Sequence, residues 1–182
     1  MIDVEPTLLV VGFGAFSTVV DNPASRLACA LDGRLLGTRR VIGREIPVRY
    51  DEGPAETLRL IERYRPLAVL GIGVAVGRAG PMLERLGVRH ANPSLEDSAG
   101  LRVADLEPEG PEVVHSTAAV QEMAAAMGVQ LSEDAGRYVC NAWLYRVVRA
   151  VGSVMPVAFL HVPEGGMPEE QLAQALIAVW GR

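Results

Sequence analysis

Apolar residues along this chain fall into short runs that alternate with helical stripes. Residues 7–12 (TLLVVG) form an unbroken apolar run closed by glycine, the pattern of a strand buried on both faces. Asn22 then offers a helix cap with Pro23 at the first helical position, and Asp32 and Gly33 stop that helix after about residue 31. Residues 41–50 (VIGREIPVRY) read as a second strand. Residues 53–64 carry Leu58, Ile61 and Tyr64 at helical spacing, with Pro66 just beyond. Residues 67–72 (LAVLGI) are a third buried strand.

From residue 73 to about 112 the pattern weakens. Gly and Pro accumulate and only residues 84–90 suggest a strand, so the stretch reads as loops around a site or an interface. Ser116 or Thr117 is expected to cap a helix over residues 118–127. Residues 138–151 form a helix with an almost wholly apolar face, and residues 156–162 the last inner strand. Residues 168–180 form the terminal helix, with Glu169 and Glu170 well placed in its first turn. This alternation predicts an α/β fold: a mostly parallel central sheet, helices on both faces, and sites beyond the carboxyl ends of the strands.

A chain of 182 residues suits one domain with a sizeable core, read as spanning residues 1–182. At 49% apolar and 21% charged, the composition is ordinary for a globular protein. The net charge of −5 and the dispersed arginines argue against a nucleic-acid partner. The N-terminal residues are acidic where a signal peptide would be basic, and no apolar run approaches the roughly 20 residues that span a bilayer. The expectation is a cytoplasmic protein with no membrane partner. Cys29 and Cys140 lack metal-ligand spacing and, in a reducing compartment, make no disulfide framework.

Chemistry concentrates late in the chain. The stretch RYVCNAWLY (residues 137–145) puts Cys140 in the first turn of an apolar helix, after a turn signal at residues 134–136. Free N–H groups and the positive end of the helix dipole there favour a thiolate. The competing reading is packing, since a free cysteine is among the most buried residue types. His161 closes an apolar strand at its carboxyl end, and histidine is the commonest general base near neutral pH. Its alternative is a hydrogen-bonded structural histidine. One crossover joins the two residues, which puts thiol and imidazole at the same sheet edge.

A third group should orient the imidazole, and the residues alone do not select it. Glu84, in MLERL (residues 82–86), is one candidate, with a solvent-facing ion pair to Arg85 or Arg89 as its alternative. Residues 12–16 (GFGAF) imitate a nucleotide loop only in part: Ser17 stands where a third glycine is needed, and no Walker lysine follows. Phe13 and Phe16 either wall a small apolar pocket or sit in the core. His90 and His115 read as surface residues, Cys29 as core, and Trp143 and Trp180 as packing.

Four segments then line up: GFGAF with NPAS (residues 12–16 and 22–25), GR with ER (77–78 and 84–85), DAGRYVCNAWLY (134–145) and FLHVPE (159–164). In this order and spacing the chain resembles pyroglutamyl peptidase type I, the pyrrolidone-carboxylate peptidase family of cysteine peptidases, nearly end to end. The third segment is the most specific, being similar to the A-G-x-[FY]-V-C-N-x-x-x-Y around that family's nucleophile. The resemblance implies a three-layer α/β/α sandwich and a triad of Glu84, Cys140 and His161. It implies removal of N-terminal pyroglutamate from peptides through a thioester, with no cofactor. It further implies that Phe13 and Phe16 sandwich the lactam ring, that Asn22 helps bind it, that Tyr138 and Val139 line the same pocket, and that copies assemble as a homodimer or homotetramer.

The chain also departs from the family pattern. Val74 stands where the family carries Gln, Ala15 where it carries Pro, and Ser94 near the place of an arginine beside the oxyanion, for which Arg78 or Arg89 are candidate substitutes. These departures keep a second reading open: a divergent or inactive member that binds a small molecule or peptide, or that takes another N-terminal acyl group.

Overall fold

The structure is a computed structural model and describes residues 6–17 and 19–182. The acidic N-terminal segment, residues 1–5, lies outside them. In chain order the elements are β1 (Thr7–Phe13), α1 (Pro23–Ala30), β2 (Leu35–Leu36), β3 (Arg39–Ile46), α2 (Glu52–Tyr64), β4 (Ala68–Val74) and β5 (Met82–Glu84). They continue with β6 (Leu86–Val88), β7 (Val113–His115), α3 (Val120–Met127), β8 (Gln130–Ser132), α4 (Val139–Val151), β9 (Val157–Val162) and α5 (Glu169–Trp180).

Seven strands make one sheet in the order β2-β3-β1-β4-β9-β5-β8, while β6 and β7 pair antiparallel outside it. The inner strands β3, β1, β4 and β9 are mutually parallel. Because both their faces are covered, alternate residues feed two cores. Leu9, Val11, Val69, Val157 and Phe159 meet α2 and α4 on one side. Val10, Leu70, Ile72, Ala158 and Leu160 meet α1, α3 and α5 on the other. The result is the expected α/β/α sandwich. No helix among the described residues is long and apolar enough to cross a membrane.

Helix α1 starts as the sequence indicates, with the Asn22 side chain accepting from the Ala24 N–H at 2.9 Å and Pro23 in the first turn. It then lies unusually close to the sheet. A Cβ at Gly12 would sit 2.1 Å from the Ala24 carbonyl oxygen, and one at Gly43 would sit 1.9 Å from that of Ala28. Gly12 of the GFGAF stretch therefore serves helix-on-sheet packing.

Three expectations need correction. The strand expected over residues 84–90 is two short strands in two sheets. β5 stays on β9, running antiparallel to it, while β6 is drawn away toward α4. There the Asn141 amide accepts from the Val88 N–H at 2.8 Å and donates to the Val88 carbonyl at 2.9 Å. Neither Ser116 nor Thr117 caps α3, whose N-cap is Ala119 without a side-chain bond. The Ser116 hydroxyl donates to the Glu84 carbonyl, and Thr117 bridges Met155 and Val157. Cys29 is exposed, because it falls on the outer face of α1. The short strands β2, β7 and β8, of two or three residues each, carry too few positions to show a period.

Gly12→Ala forces a Cβ into backbone that cannot rotate away. It is expected to destabilise the fold by about 1–3 kcal/mol or more, read as a lowered urea midpoint. An unchanged midpoint would mean that α1 can back off the sheet freely.

Candidate active site

The carboxyl ends of β4 and β9 and the amino end of α4 meet at one edge of the sheet. β4 ends in glycine-rich chain, and this decides what can lie on it. A Cβ at Gly73 would be 2.5 Å from Cys140 Sγ, so the sulfur rests on bare strand backbone. Gly73 is the register partner of His161 on β9. Paired positions share a face, so sulfur and imidazole lie on the same face of adjacent strands. Both line one cleft of about 220 Å³, together with Val74, Ala75, Arg78 and Tyr138.

The imidazole is held on two sides. Phe159 packs edge-on against it, ring centroids 5.0 Å apart, and is itself backed by Trp143 and Phe13. Nδ1 of His161 meets Glu84 Oε1 at 2.6 Å. A carboxylate only accepts, so Nδ1 carries the proton and Nε2 keeps its lone pair. Glu84 is fully buried, on the face of β5 that looks toward α4. Its solvent-facing alternative does not form: Arg85 pairs with Glu133 at 3.8 Å, and Arg89 pairs with Asp105 at 3.4 Å and Glu112 at 2.6 Å. Arg78 approaches Glu84 instead, its Nη1 donating to Oε1 at 2.7 Å.

Cys140 sits at the start of α4, as the sequence indicates, but its ionisation is opposite to expectation. Burial and then the Glu84 carboxylate push the thiol up to about 12, while Arg78 and the residue's own N–H pull the other way. Desolvation outweighs the helix start. In the free protein the group is a thiol. The same helix start stays open for other work: Tyr138 occupies the N-cap in extended conformation and its side chain makes no capping bond to the first-turn N–H groups.

The five residues that the resemblance assigns to substrate have different surroundings. Tyr138 lines the cleft, its hydroxyl donating to the Glu96 carbonyl at 2.8 Å. Phe16 is half-buried beside it, ring centroids 6.3 Å apart. Phe13 is 2% exposed and stands behind Phe159 in the core. Val139 is likewise core. The Asn22 amide donates to the Gly14 carbonyl at 2.8 Å besides capping α1, which fixes the loop carrying Phe16. Sequence reasoning missed Gly73, whose signal was a glycine inside an otherwise apolar strand. It also missed Ser132, which with Asp134 of the turn signal pins the turn before α4: the Asp134 N–H donates to Ser132 Oγ at 3.1 Å and the Gly136 N–H to Asp134 Oδ1 at 2.9 Å.

Comparison with known proteins meets this geometry from another side. A family model described as pyroglutamyl peptidase matches residues 6–176. A pyrrolidone-carboxylate peptidase of Deinococcus radiodurans is 35% identical over 170 residues, covering 87% of this chain and 78% of that one. One from Mycobacterium marinum is 34% identical, covering 86% and 76%. Among solved structures, the pyrrolidone carboxyl peptidase of Thermococcus litoralis superposes with a TM-score of 0.85 at 22% identity, covering 96% of this chain and 91% of that one. A mutant of the Pyrococcus furiosus protein gives 0.84 at 25%, covering 95% and 96%.

The raised thiol has a thermodynamic consequence. The folded chain holds the Cys140 proton more tightly than the unfolded chain, whose ordinary value is 9.0. The associated stability is complete below about pH 9 and fades as the pH climbs toward about 12. The stability advantage of wild type over Cys140→Ser should therefore shrink between about pH 8 and about pH 11 in urea titrations. Tyr50, also pushed up to about 12, is common to both proteins and cancels. A gap constant across that window would contradict the buried neutral thiol.

Proposed function

The chain belongs to the pyroglutamyl peptidase family and is a cysteine peptidase, and from that premise we propose that Cys140, His161 and Glu84 cleave the bond following an N-terminal pyroglutamate. The observation that carries this reading is the buried contact of Glu84 with His161 Nδ1 at 2.6 Å, on an imidazole that shares its cleft with Cys140. A small-molecule or peptide binding module would have no use for a buried carboxylate fixing a histidine tautomer beside a thiol.

The steps follow from protonation states. His161 Nε2 takes the Cys140 proton as Sγ forms its bond to the pyroglutamyl carbonyl carbon; because the resting group is a thiol, transfer accompanies attack. The oxyanion that develops is met by the Cys140 N–H and its uncapped first-turn neighbours, donors typically worth about 3 kcal/mol each. The imidazolium, steadied by Glu84, hands its proton to the leaving amine as the carbon–nitrogen bond breaks. Water, deprotonated by the same Nε2, then opens the thioester. Pyroglutamate leaves and the proton returns to sulfur.

Tyr138 and Phe16 form the aromatic side of the lactam site in this reading, with Phe13, Val139 and Asn22 holding them in place from behind. Val74 contributes an apolar wall, which leaves the lactam's polar atoms to backbone groups. No cofactor takes part. A cytoplasmic homo-oligomer, dimer or tetramer, belongs to the same proposal. It is supported by the unpaired Cys29 and Cys140 and by Val20, Val76 and Val154, which are 83%, 66% and 77% exposed.

Wild type should hydrolyse a pyroglutamyl-aminocoumarin substrate and spare the prolyl analogue, which lacks the lactam carbonyl. Cys140→Ala should lose at least about 10³-fold in kcat, and Glu84→Gln about 10²–10⁴-fold. Turnover surviving in Cys140→Ala, or equal turnover of the prolyl analogue, would overturn the reading.

A further inference from the structure

Glu84 is the most costly group in the fold, because a fully buried carboxylate must be compensated or become protonated. All of its compensation converges on one oxygen. Oε1 takes His161 Nδ1 at 2.6 Å and Arg78 Nη1 at 2.7 Å, while Oε2 is buried without a hydrogen-bond partner among the described residues. The ionisable groups around it are His161 from β9, Cys140 from α4 and Arg78 from the turn after β4. β8 presents the neutral Ser132 hydroxyl, and α3 packs Met123, Ala124 and Met127 on the opposite face of the sheet. Arg78 is thus the permanent cation of the group.

The chain is shaped to deliver it. Gly77, at φ +82°, reverses the backbone just after β4, and the Arg78 N–H closes the turn on the Ala75 carbonyl at 3.2 Å. The guanidinium fork then spans three elements. Besides Glu84 it donates through Nη2 to the Asp134 carbonyl at 2.6 Å and to Ser132 Oγ at 3.3 Å. One side chain therefore ties the triad carboxylate to the turn that leads into the nucleophile helix. Lysine has the charge but no fork to reach both sides.

We propose that Arg78 is a positioning residue: it keeps Glu84 a carboxylate and thereby keeps the lone pair of His161 on Nε2, the nitrogen left to take the Cys140 proton. The chemical consequence of its loss is definite. A protonated Glu84 would donate its proton in a hydrogen bond to Nδ1, driving the imidazole into the tautomer that carries hydrogen on Nε2. That nitrogen could no longer accept the Cys140 proton. Arg78 so acts two bonds removed from the substrate, and the sequence candidate for an oxyanion-side cation becomes a tautomer lock. The inference rests on the triad reading above.

The test uses Arg78→Ala and Arg78→Lys in a Cys29→Ser background, which removes the exposed second thiol. Two readouts are taken: iodoacetamide alkylation of Cys140 against pH, which needs no substrate, and kcat and KM on pyroglutamyl-aminocoumarin. Arg78→Ala should lose about 10²-fold or more in kcat with KM changed less than about threefold. Its alkylation should be slower than wild type's at mildly acidic and neutral pH, where His161 must take the Cys140 proton, and should approach wild type's as the pH rises and hydroxide removes that proton directly. Arg78 lines both the catalytic cleft and a wider cavity of about 660 Å³ behind it, so truncation opens a guanidinium-sized space reachable from solvent. Millimolar guanidinium should restore alkylation and turnover at least about tenfold in the alanine variant and do nothing to wild type. Arg78→Lys should fall between, and it carries the test if the alanine variant fails to fold. An alkylation profile identical to wild type, or a loss uniform across pH and deaf to guanidinium, would overturn the proposal. Wild type silent on every pyroglutamyl substrate but with Arg78-dependent alkylation would overturn the substrate reading and leave this one standing.

Discussion

One buried contact organises this molecule: the Glu84 carboxylate against the His161 imidazole, 2.6 Å apart. Neither group is accessible enough for water to compensate it, so the surrounding chain must do so. That requirement explains features that sheet packing alone does not. β5 runs antiparallel to β9, so that a three-residue strand can present Glu84 on the α4 face and then leave the sheet at once. The chain that leaves is caught by Asn141, itself on α4 beside Cys140. Phe159 and Trp143, whose Nε1 donates to Thr57 at 2.8 Å, form the rigid floor under the imidazole. A ring whose edge and face are both fixed has one orientation, which proton transfer at Nε2 requires.

In the proposed triad, Cys140 is prepared differently from His161. Sulfur lies in a buried niche over Gly73, where desolvation favours the neutral thiol. Its reactivity then depends on the partner that takes its proton rather than on a standing negative charge. A resting thiol resists oxidation, and the charge appears only as His161 takes the proton while an electrophilic carbon receives the sulfur. The uncapped start of α4 belongs to the same design. A Ser or Asp at the N-cap would steady the helix, but its oxygen would occupy the N–H groups that an oxyanion needs.

Much of this was legible in the chain and some of it was not, for physical reasons. The inner strands β1, β4 and β9 could be read because burial on two faces makes them continuous apolar runs, whereas β3, half-buried and rich in arginine, reads over residues 41–50 and lies at Arg39–Ile46. Asn22 and Pro23 announced α1 by a mechanism local to two residues. Cys140 and His161 could be placed at one edge because a single crossover links them. Glu84 could not be chosen from the residues alone, since its strand is too short for a period and its arginine neighbours offered an equally good surface partner. Resemblance supplied it. The sign of the thiol's shift was misread because helix position is local whereas desolvation is a property of the assembled sheet. Arg78 was visible as a spare cation, but its fork reaches residues 6, 54 and 56 positions away in sequence, and no pattern along the chain records that convergence.

The central claim is that a buried carboxylate fixes the tautomer of His161. Nitrogen-15 NMR of the histidine side chains, assigned by His161→Gln, reads this directly on the substrate-free protein. The account predicts that the neutral His161 ring carries its proton on Nδ1 in wild type and shifts to the Nε2-protonated form in Glu84→Ala. An Nε2-bound proton in wild type, or an even mixture of the two tautomers, would contradict it.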